Sequence, residues 1–360
     1  MKIVFATGIY PPDIGGPATY VRALAEELTR RGTETVVITY GRTDRVGAHS
    51  SWPVFCVPKW VPLFRWWQYA RALRAHAADA DIIYTFSSVS CGVPLFLSRV
   101  KGPKRILRLG GDFCWERYTG RGGQLGLKAW YASRPWLRSI MQRLLKQFHY
   151  VIFSTRFQQE IYEGVYKYLP PHSVLENALP QGSTHLHRKH EPFRLLFLGR
   201  FVGFKNLPLL LRAIAKVPGV RLTLIGDGPM EKRLRQFASE LLLDQRVTFL
   251  EAVQSEQRAE LFREYDLLIL PSITEISPHA ALEARAAGLP VLLTDQTGLS
   301  SLLTGGMTLV PLSTPVEIIR ALADAISQYD TLAFAAAKPV PKRTWKDVAD
   351  EHLSLFPHLP

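Results

Sequence analysis

The sequence predicts an α/β protein with two Rossmann-like domains, and three features of the chain lead to this prediction. Its 360 residues can supply two domains, each with its own hydrophobic core. Short apolar runs alternate with segments of helical periodicity twice over, which is typical of βαβ units and parallel sheets. A polar stretch, residues 180–192, separates the two series. We therefore expect one domain over residues 1–178 and a second over residues 190–338.

The first half opens as a βαβ unit. Residues 3–6 and 35–40 are apolar and rich in β-branched residues, as buried strands are. Residues 19–31 repeat apolar side chains at helical spacing and end at Gly32. The other elements expected in this half are strands at 81–86, 105–109 and 150–154 and a helix at 156–163.

The loop after the first strand contains the pair Gly15-Gly16. A glycine pair lets the backbone approach a phosphate closely, although the same pair also occurs in ordinary turns. The dinucleotide fingerprint G-x-G-x-x-G is absent.

Asp112 follows the strand at 105–109, after Gly110-Gly111. In an open α/β sheet, ligands bind at the carboxyl ends of the strands. Asp112 is therefore a candidate ligand contact. The alternative is a turn or helix N-cap aspartate.

The second half repeats the alternation. The elements expected there are strands at 193–198, 221–225, 247–250, 267–270 and 291–294 and helices at 230–241, 255–264, 278–288, 315–328 and 345–356. Arg200 and Lys205 follow the first of these strands, where two cations suit a diphosphate. Gly228 lies in a glycine-rich turn after the second strand, and Val253 follows the third, where backbone could line a nucleobase slot.

The stretch 270–294 reads as strand, loop, helix and strand, and it carries two carboxylates. Glu275 lies in the loop and Glu283 lies eight residues later in the helix. The N–H groups of residues 276–280, at the start of this helix, suit a phosphate. Carboxylates beside an anion site are expected to hydrogen-bond sugar hydroxyls. The alternative is a solvated Glu275 and a Glu283 paired with a nearby arginine.

These motifs together resemble a known family. The spacing of Glu275 and Glu283, followed by Gly288 and Pro290, resembles that of the retaining glycosyltransferases of family four, the glycosyl transferases group 1, which have the GT-B fold. Gly-Arg at 199–200 followed by Lys-Asn at 205–206 resembles the family's phosphate-binding signature. One departure is Ile276-Ser277-Pro278 where many members have Gly-Phe-Gly.

The resemblance implies roles for the candidate residues. Asp112 and Glu275 are implied as catalytic residues that contact the donor sugar, and Glu283 as the ligand of the ribose hydroxyls. The donor-binding residues that it implies are Gly15, Gly16, Arg200, Lys205, Gly228, Val253, Ser277, Pro278, His279, Ala280 and Glu283. It also implies two domains facing each other across a cleft, with a C-terminal helix, residues 342–360, that crosses back to the first domain.

The function that follows is transfer of a sugar, with retention, from a nucleotide-diphosphate sugar to a glycan or lipid-linked acceptor. The resemblance implies no covalent nucleophile, metal or cofactor, and we expect a hexosyltransferase of cell-surface polysaccharide or glycolipid synthesis. An epimerase or hydrolase of nucleotide sugars on the same fold is the alternative. A nucleic-acid-binding protein is suggested only by charge, and because no binding motif accompanies it we expect no nucleic-acid partner.

The excess of positive charge lies in the first half. Residues 1–178 carry 24 Lys and Arg against 12 Asp and Glu, a net +12, whereas residues 179–360 carry 20 against 19, a net +1. Residues 59–76 and 128–148 interleave aromatic and basic residues. Such stretches bind anionic membrane surfaces or single-stranded nucleic acid, or pack an aromatic helix face on a sheet. We expect peripheral association with an anionic membrane.

The chain is expected to be cytoplasmic. No apolar run reaches the length of a membrane span, and residues 3–6 lead into a loop rather than a signal peptide. The three cysteines lack metal-ligand spacing and fit a reducing compartment. The histidines at 185, 187 and 190 could suggest a metal, but their spacing suits no helix face, so we expect a solvated linker there.

Overall fold

The computed structural model describes residues 1–13, 15–41, 51–59, 61–180, 182, 185–253 and 255–360, and these form two compact units. The first unit consists of Met1–Cys114, Lys128–Ala178 and Arg343–Pro360, and the second of Trp115–Leu127 and Leu179–Lys342. This division differs from the expected one in residues 115–127, which belong to the second unit.

A parallel sheet is the centre of the first unit. Its strands are β1 Lys2–Ala6, β2 Glu34–Tyr40, β3 Val54–Val57, β4 Ile82–Thr85, β5 Lys104–Leu109, β6 Tyr150–Phe153 and β7 His172–Val174. Over the described residues these seven strands are ordered β3-β2-β1-β4-β5-β6-β7 and all pair in parallel. The order reverses between β1 and β4, where Val4 lies between Val36 and Ile83. A reversal of this kind creates the crevice in which open α/β sheets bind ligands.

Helices connect these strands. They are α1 Gly16–Arg30, α2 Pro62–His76, α3 Gly92–Ser98, α4 Phe113–Thr119, α5 Leu127–Ala132, α6 Pro135–Leu145 and α7 Arg156–Val165. Helix α1 buries Val21, Leu24 and Leu28 against the sheet, as its periodicity predicts. It begins three residues earlier than expected, with Gly15 as its N-cap.

The second unit has a parallel sheet of the same type. Its strands are β8 Phe193–Leu198, β9 Val220–Ile225, β10 Val247–Leu250, β11 Leu267–Leu270, β12 Val291–Thr294 and β13 Thr308–Val310. In the described part of the chain these six strands follow the order β10-β9-β8-β11-β12-β13. β11 is buried along its whole length, because a parallel sheet is covered by helices on both faces. The order reverses between β8 and β11, the switch point of this sheet.

The helices of the second unit follow the same alternation. They are α8 Leu207–Ile214, α9 Glu231–Glu240, α10 Ser255–Phe262, α11 His279–Ala286, α12 Pro315–Ser327 and α13 Tyr329–Ala336. α12 begins with a capping box in which Thr314 and Glu317 each bond the other's backbone N–H. The predicted α/β fold with two Rossmann-like domains is therefore confirmed.

The last helix, α14 Trp345–Leu355, returns to the first unit. It starts with a second capping box, formed by Thr344 and Asp347, and packs against α1. Its buried face includes Val348 and His352, and the Trp345 ring lies edge-on to Tyr20, with centroids 5.1 Å apart. None of the helices that the structure describes is long and apolar enough to cross a membrane.

The histidine stretch before β8 is anchored to the second unit at His187 and His190, so the expected solvated linker is correct only for its exposed residues, among them His185, Arg188 and Lys189. His187 is buried, and its Nδ1 lies 3.2 Å from the carbonyl oxygen of Tyr265. Asp266 is fully buried and accepts hydrogen bonds from the backbone N–H of His190 at 2.9 Å and of Arg194 at 2.6 Å. A buried carboxylate needs such donors, and these anchor the segment.

Candidate functional site

Loops after four neighbouring strands lie at one edge of the second sheet. Arg200 and Lys205 follow β8, Gly228 follows β9, Val253 follows β10 and Glu275 follows β11. Because all four strands are parallel, their carboxyl ends meet at the same edge. The cations after β8 and the carboxylate after β11 flank the switch point. The structure therefore brings these predicted residues to one edge of one unit.

Lys205 and Glu275 form an ion pair at this edge. Nζ of Lys205 lies 2.5 Å from Oε1 of Glu275, and the side chains are 13% and 6% exposed. The hydroxyl of Ser272 donates a second hydrogen bond, of 2.5 Å, to the same oxygen. Glu275 is thus a buried carboxylate that accepts two hydrogen bonds, and not the solvated carboxylate of the alternative interpretation. Ser272 was not among the predicted residues.

The backbone of Glu275 is also fixed. Its N–H donates to the carbonyl of Gln296 at 2.9 Å, and its carbonyl accepts from the N–H of Gly298 at 2.7 Å. These bonds extend the pairing beyond the end of β11, where Glu275 forms an isolated bridge with Thr297. The loop therefore presents its carboxylate in one orientation.

Residues 115–127 pack beside this pair within the second unit. The rings of Trp115 and Phe204 lie 5.3 Å apart, and the N–H of Leu127 donates to Oγ1 of Thr274 at 3.3 Å. The indole N–H of Trp115 donates to the carbonyl of Leu125 at 2.9 Å, which holds the segment in a closed loop. Phe204 and Thr274 directly precede Lys205 and Glu275 in the chain, so this segment contacts both loops of the ion pair.

Glu283 projects from α11 and is held by an arginine. Nη1 of Arg258, on α10, donates to Oε1 of Glu283 at 2.9 Å and to Oε2 at 2.6 Å. Burial raises the pKa of Glu283, and the Arg258 guanidinium opposes that rise. The same guanidinium donates through Nε to the carbonyl of Val253 at 3.1 Å. The arginine partner considered as an alternative for Glu283 is therefore present, at a position that the sequence did not identify.

Helix α11 begins at His279, one residue later than expected, with Pro278 as its N-cap. Pro278 is buried, and Ser277, His279 and Ala280 are half-buried. The first N–H groups of a helix have no carbonyl partner within that helix and carry partial positive charge. This helix start lies four residues after Glu275, at the same sheet edge.

The turns after β8 and β9 pack closely. Gly228 has a φ of +152°, and a Cβ atom there would lie 2.5 Å from the carbonyl oxygen of Phe201. Only glycine fits such a contact at this φ. Arg200, immediately before Phe201, is exposed.

Asp112 lies in the first unit, just past β5. It is buried, and its Oδ2 accepts hydrogen bonds from the hydroxyls of Tyr131 and Tyr162, the latter at 2.8 Å. Burial raises the pKa of both tyrosines well above the ordinary value, and the Asp112 carboxylate adds to the rise, so both phenols remain donors. Tyr131 lies in the aromatic and basic stretch 128–148, for which binding to an anionic membrane surface is expected. The structure corrects this, since Tyr131 and its neighbour Trp130 are buried.

Gly15 and Gly16 follow β1 at the carboxyl edge of the first sheet and begin α1.

Asp79 and Asp81 have the D-x-D spacing of some metal sites, but they lie just before β4, at the edge of the sheet opposite to the carboxyl ends of the strands. Asp79 pairs with the amino group of Lys2 at 2.7 Å, and Asp81 accepts from the backbone N–H of Lys2 at 2.7 Å. Across the described ranges, no group of three or more His, Cys, Asp or Glu residues is arranged to hold a metal ion.

Two family models match the chain in succession. The model described as glycosyltransferase family 4 matches residues 14–180, and the model described as glycosyl transferases group 1 matches residues 184–335.

Relatives match it over different lengths. An uncharacterized glycosyltransferase of Methanocaldococcus jannaschii is 24% identical over 99% of this chain and 98% of its own length. A D-inositol 3-phosphate glycosyltransferase of Mycolicibacterium smegmatis is 39% identical, but over 31% of this chain and 27% of its own length. The match thus spans about a quarter of that relative.

Solved structures match over the whole chain. Sucrose-phosphate synthase from Thermosynechococcus elongatus superposes with a TM-score of 0.80 at 20% identity, covering 99% of this chain and 98% of its own. WaaG, a glycosyltransferase involved in lipopolysaccharide biosynthesis, gives 0.72 at 18% identity, covering 98% and 99%. Anabaena HepE in complex with UDP gives 0.70 at 19% identity and full coverage of both chains. With both halves matched by consecutive family models and the whole by such structures, the chain belongs to the glycosyltransferases of family four and has the GT-B fold.

Proposed function

We propose that this enzyme transfers a hexose, with retention, from a nucleotide-diphosphate sugar to a glycan or lipid-linked acceptor in cell-surface polysaccharide or glycolipid synthesis. The observation that carries the proposal is the Lys205–Glu275 pair at the switch point, beside the start of α11. It combines a cation for the diphosphate with a carboxylate for sugar hydroxyls at the ligand edge of one sheet. The HepE complex with UDP and glucose supports a nucleotide-sugar donor.

In the proposed reaction, the bond from the sugar C1 to the diphosphate oxygen breaks and its electron pair leaves with the diphosphate. The acceptor hydroxyl oxygen forms the new bond to C1, and its proton passes to the diphosphate oxygen. Lys205 and Arg200 stabilise the negative charge that develops on the diphosphate, which is the main electrostatic contribution. The N–H groups at the start of α11 assist them.

The carboxylates position the donor. Glu275 and Asp112 accept hydrogen bonds from sugar hydroxyls, and Glu283 accepts them from the ribose. Neither a covalent nucleophile nor a metal takes part in this scheme. Full activity in the presence of a chelator is therefore expected, and loss of activity that Mg²⁺ or Mn²⁺ restores would refute metal independence.

The first experiment is a thermal-shift screen with UDP-, GDP- and ADP-sugars. A donor that binds the native state raises the melting temperature in proportion to the logarithm of its concentration above Kd. Failure of every nucleotide sugar to raise it contradicts the proposal. Rapid consumption of the donor without an acceptor would instead identify an epimerase or hydrolase, and NMR of the product anomer tests retention.

The enzyme is also proposed to be cytoplasmic and to associate with an anionic membrane through the first unit. Val61, Leu63, Phe64 and Trp67, at the start of α2, are 69%, 78%, 40% and 48% exposed. The guanidinium of Arg71 lies over the Trp67 ring, 4.9 Å from its centroid. Apolar side chains beside cations match the interface of an anionic bilayer, where the side chains enter the headgroup layer and the cations meet lipid phosphates.

Two neighbouring helices, α3 and α6, also expose large apolar side chains. α2 packs against α3, and α3 contacts α6. Phe96 and Leu97 on α3 and Trp136 and Ile140 on α6 are exposed. Large exposed apolar patches usually mark an interaction site, and these side chains are proposed to belong to one. A lipid-linked acceptor would then be held at the membrane on which the enzyme lies.

A further inference from the structure

A single guanidinium connects two of the predicted nucleoside contacts. Arg258 donates to both carboxylate oxygens of Glu283 and to the carbonyl oxygen of Val253. Glu283 belongs to α11, which follows β11, and Val253 lies just past β10. The two positions thus belong to different segments, a helix and a loop, and Arg258 is hydrogen-bonded to both.

We propose that Arg258 is a positioning residue for the nucleoside, which fixes Glu283 and Val253 so that the ribose hydroxyls are recognised. This inference rests on the proposed nucleotide-sugar donor. The function of Arg258 is to fix the carboxylate that meets the ribose and to join it to the base slot. It is not proposed to contact the reacting atoms.

The geometry leaves Glu283 able to accept further hydrogen bonds. A carboxylate has about four lone-pair positions, and Nη1 of Arg258 uses one on each oxygen. Among the described residues the other two positions have no partner, and they are proposed to accept from the ribose hydroxyls. Arg258 and Glu283 are 16% and 19% exposed, so the pair is shielded from water without being closed off.

Arg258 also opposes the effect of burial on Glu283. Burial raises the pKa of this carboxyl and the arginine counters it. A protonated carboxyl would offer one fewer acceptor and would add a donor that ribose hydroxyls do not require. Arg258 thus maintains both the orientation and the charge on which ribose recognition depends.

The test compares ribose with deoxyribose. The probe is whichever of UDP, GDP or ADP stabilises the wild-type enzyme most, paired with its 2′,3′-dideoxy counterpart, and Kd is measured by calorimetry. Arg258→Ala is expected to weaken binding of the ribonucleotide by roughly ten- to a hundredfold, because a misplaced Glu283 carboxylate no longer accepts a hydrogen bond from the ribose. The Kd of the dideoxynucleotide should change little, so the two Kd values should become similar and the preference for ribose should be lost.

Arg235→Ala is the matched control. Arg235 forms an exposed pair with Glu231 on α9 of the same unit, at 2.9 Å. This variant should keep the ribose preference of the wild type. In steady-state assays, Arg258→Ala should raise the KM for the donor with kcat nearly unchanged, as loss of uniform binding does.

A double-mutant cycle keeps the proposal testable if Arg258→Ala folds poorly. Arg258→Lys retains a charge but not the planar fork, and it should retain only part of the ribose preference. In a variant that already carries Glu283→Gln, the further change Arg258→Lys should not reduce the preference for ribose over dideoxyribose any more.

The outcomes separate this inference from the proposed function. If no nucleotide binds the wild-type enzyme, the nucleotide-sugar function itself fails. If the wild type binds but Arg258→Ala binds the ribonucleotide equally or more tightly, the positioning role is overturned. Equal losses for the ribonucleotide and the dideoxynucleotide also overturn it, because they indicate a general structural role.

Discussion

The amino group of Lys205 lies 2.5 Å from Oε1 of Glu275, although the two residues come from loops on opposite sides of the switch point. Both side chains are largely shielded from water, so neither charge has a strong alternative partner in the solvent. Removing one member of such a pair destabilises a protein because the other remains buried and uncompensated. Lys205 therefore has a structural contribution as well as the proposed catalytic one.

Lys205→Ala is expected to lower kcat by about 10²–10³, the usual effect of losing one preorganised group that stabilises transition-state charge. It should also lower the free energy of unfolding by roughly 3 kcal/mol, since Glu275 loses its cation. Steady-state kinetics and urea unfolding measure the two effects.

The double variant Lys205→Ala/Glu275→Gln distinguishes these contributions. It should recover much of the stability, because no uncompensated charge remains, while turnover stays low. Lys232→Ala, which removes an exposed lysine of the same unit, is the control. Near-normal turnover in Lys205→Ala would argue against its role at the diphosphate.

Tyr131→Phe and Tyr162→Phe each remove one hydrogen bond to Oδ2 of Asp112. Each is expected to lower the free energy of unfolding by roughly 1.5–3 kcal/mol, the range for hydrogen bonds to charged groups. Because both act on one carboxylate oxygen, their effects should not be additive. If Asp112 contacts the donor sugar, kcat should fall in both variants as well.

Tyr166→Phe is the control for these variants. Its ring centroid lies 5.8 Å from that of Tyr131 and 5.2 Å from that of Tyr162, but the substitution removes neither bond to Oδ2. Wild-type kcat in Tyr131→Phe and Tyr162→Phe, together with lowered stability, would limit the two tyrosines to a structural role.

Much of the fold was predictable because buried parallel strands are short apolar runs. The missed elements lack that signal. β3 and β7 are short strands at the edges of the first sheet, and α8 is a helix of eight residues in which Arg212 is the only charged side chain. α13 is rich in alanine, a small side chain that gives a weak periodic signal.

The position of a candidate residue in the fold was predictable where a motif lies at a strand end, as at Lys205 and Glu275. The hydrogen-bond partners of Glu283 and Asp112 were not predictable. Arg258 precedes Glu283 by 25 residues, and Tyr162 follows Asp112 by 50. Pairings over such distances depend on how helices pack, and a single sequence does not specify which arginine or tyrosine arrives at a given carboxylate.

His352 is expected to make the stability of the first unit depend on pH. Its Nε2 lies 2.9 Å from the hydroxyl of Tyr84 and its Nδ1 lies 2.7 Å from the carbonyl of Val348. Burial lowers its pKa to about 3, whereas an unfolded histidine has a pKa near 6.5. The folded state therefore binds fewer protons, and the stabilisation, complete above pH 6.5, is lost as the pH falls toward 3.

The expected loss from this group is about 1.4 kcal/mol per pH unit, or about 2 kcal/mol between pH 6.5 and 5. Urea unfolding at these two pH values measures it. His352→Gln should show a smaller difference, whereas His358→Gln, which alters an exposed histidine near the same terminus, should match the wild type. The free energy of unfolding of His352→Gln should still depend somewhat on pH, because burial also lowers the pKa values of His76, His149 and His187. Identical slopes in all three proteins would refute the assignment.

The double variant Phe64→Ser/Trp67→Ser tests the proposed membrane surface. Both side chains are exposed on α2, and their rings stack with centroids 5.8 Å apart, so they can enter a headgroup layer together. The variant should bind anionic vesicles at least tenfold more weakly in sedimentation assays, because apolar burial contributes about 25 cal/mol per Å². Its stability and its turnover of a soluble acceptor should stay unchanged, since the side chains lie at the surface.

The positive charges on α2 are tested separately from its aromatic side chains. Arg71→Gln/Arg74→Gln should also weaken vesicle binding, and the wild-type affinity should fall as salt rises, because exposed charges are screened. Phe334→Ser is the matched control: it removes an exposed aromatic ring beside a lysine, but in the second unit. Vesicle binding that is lost equally in Phe334→Ser, or retained in both α2 variants, would mean that the membrane is not bound through α2.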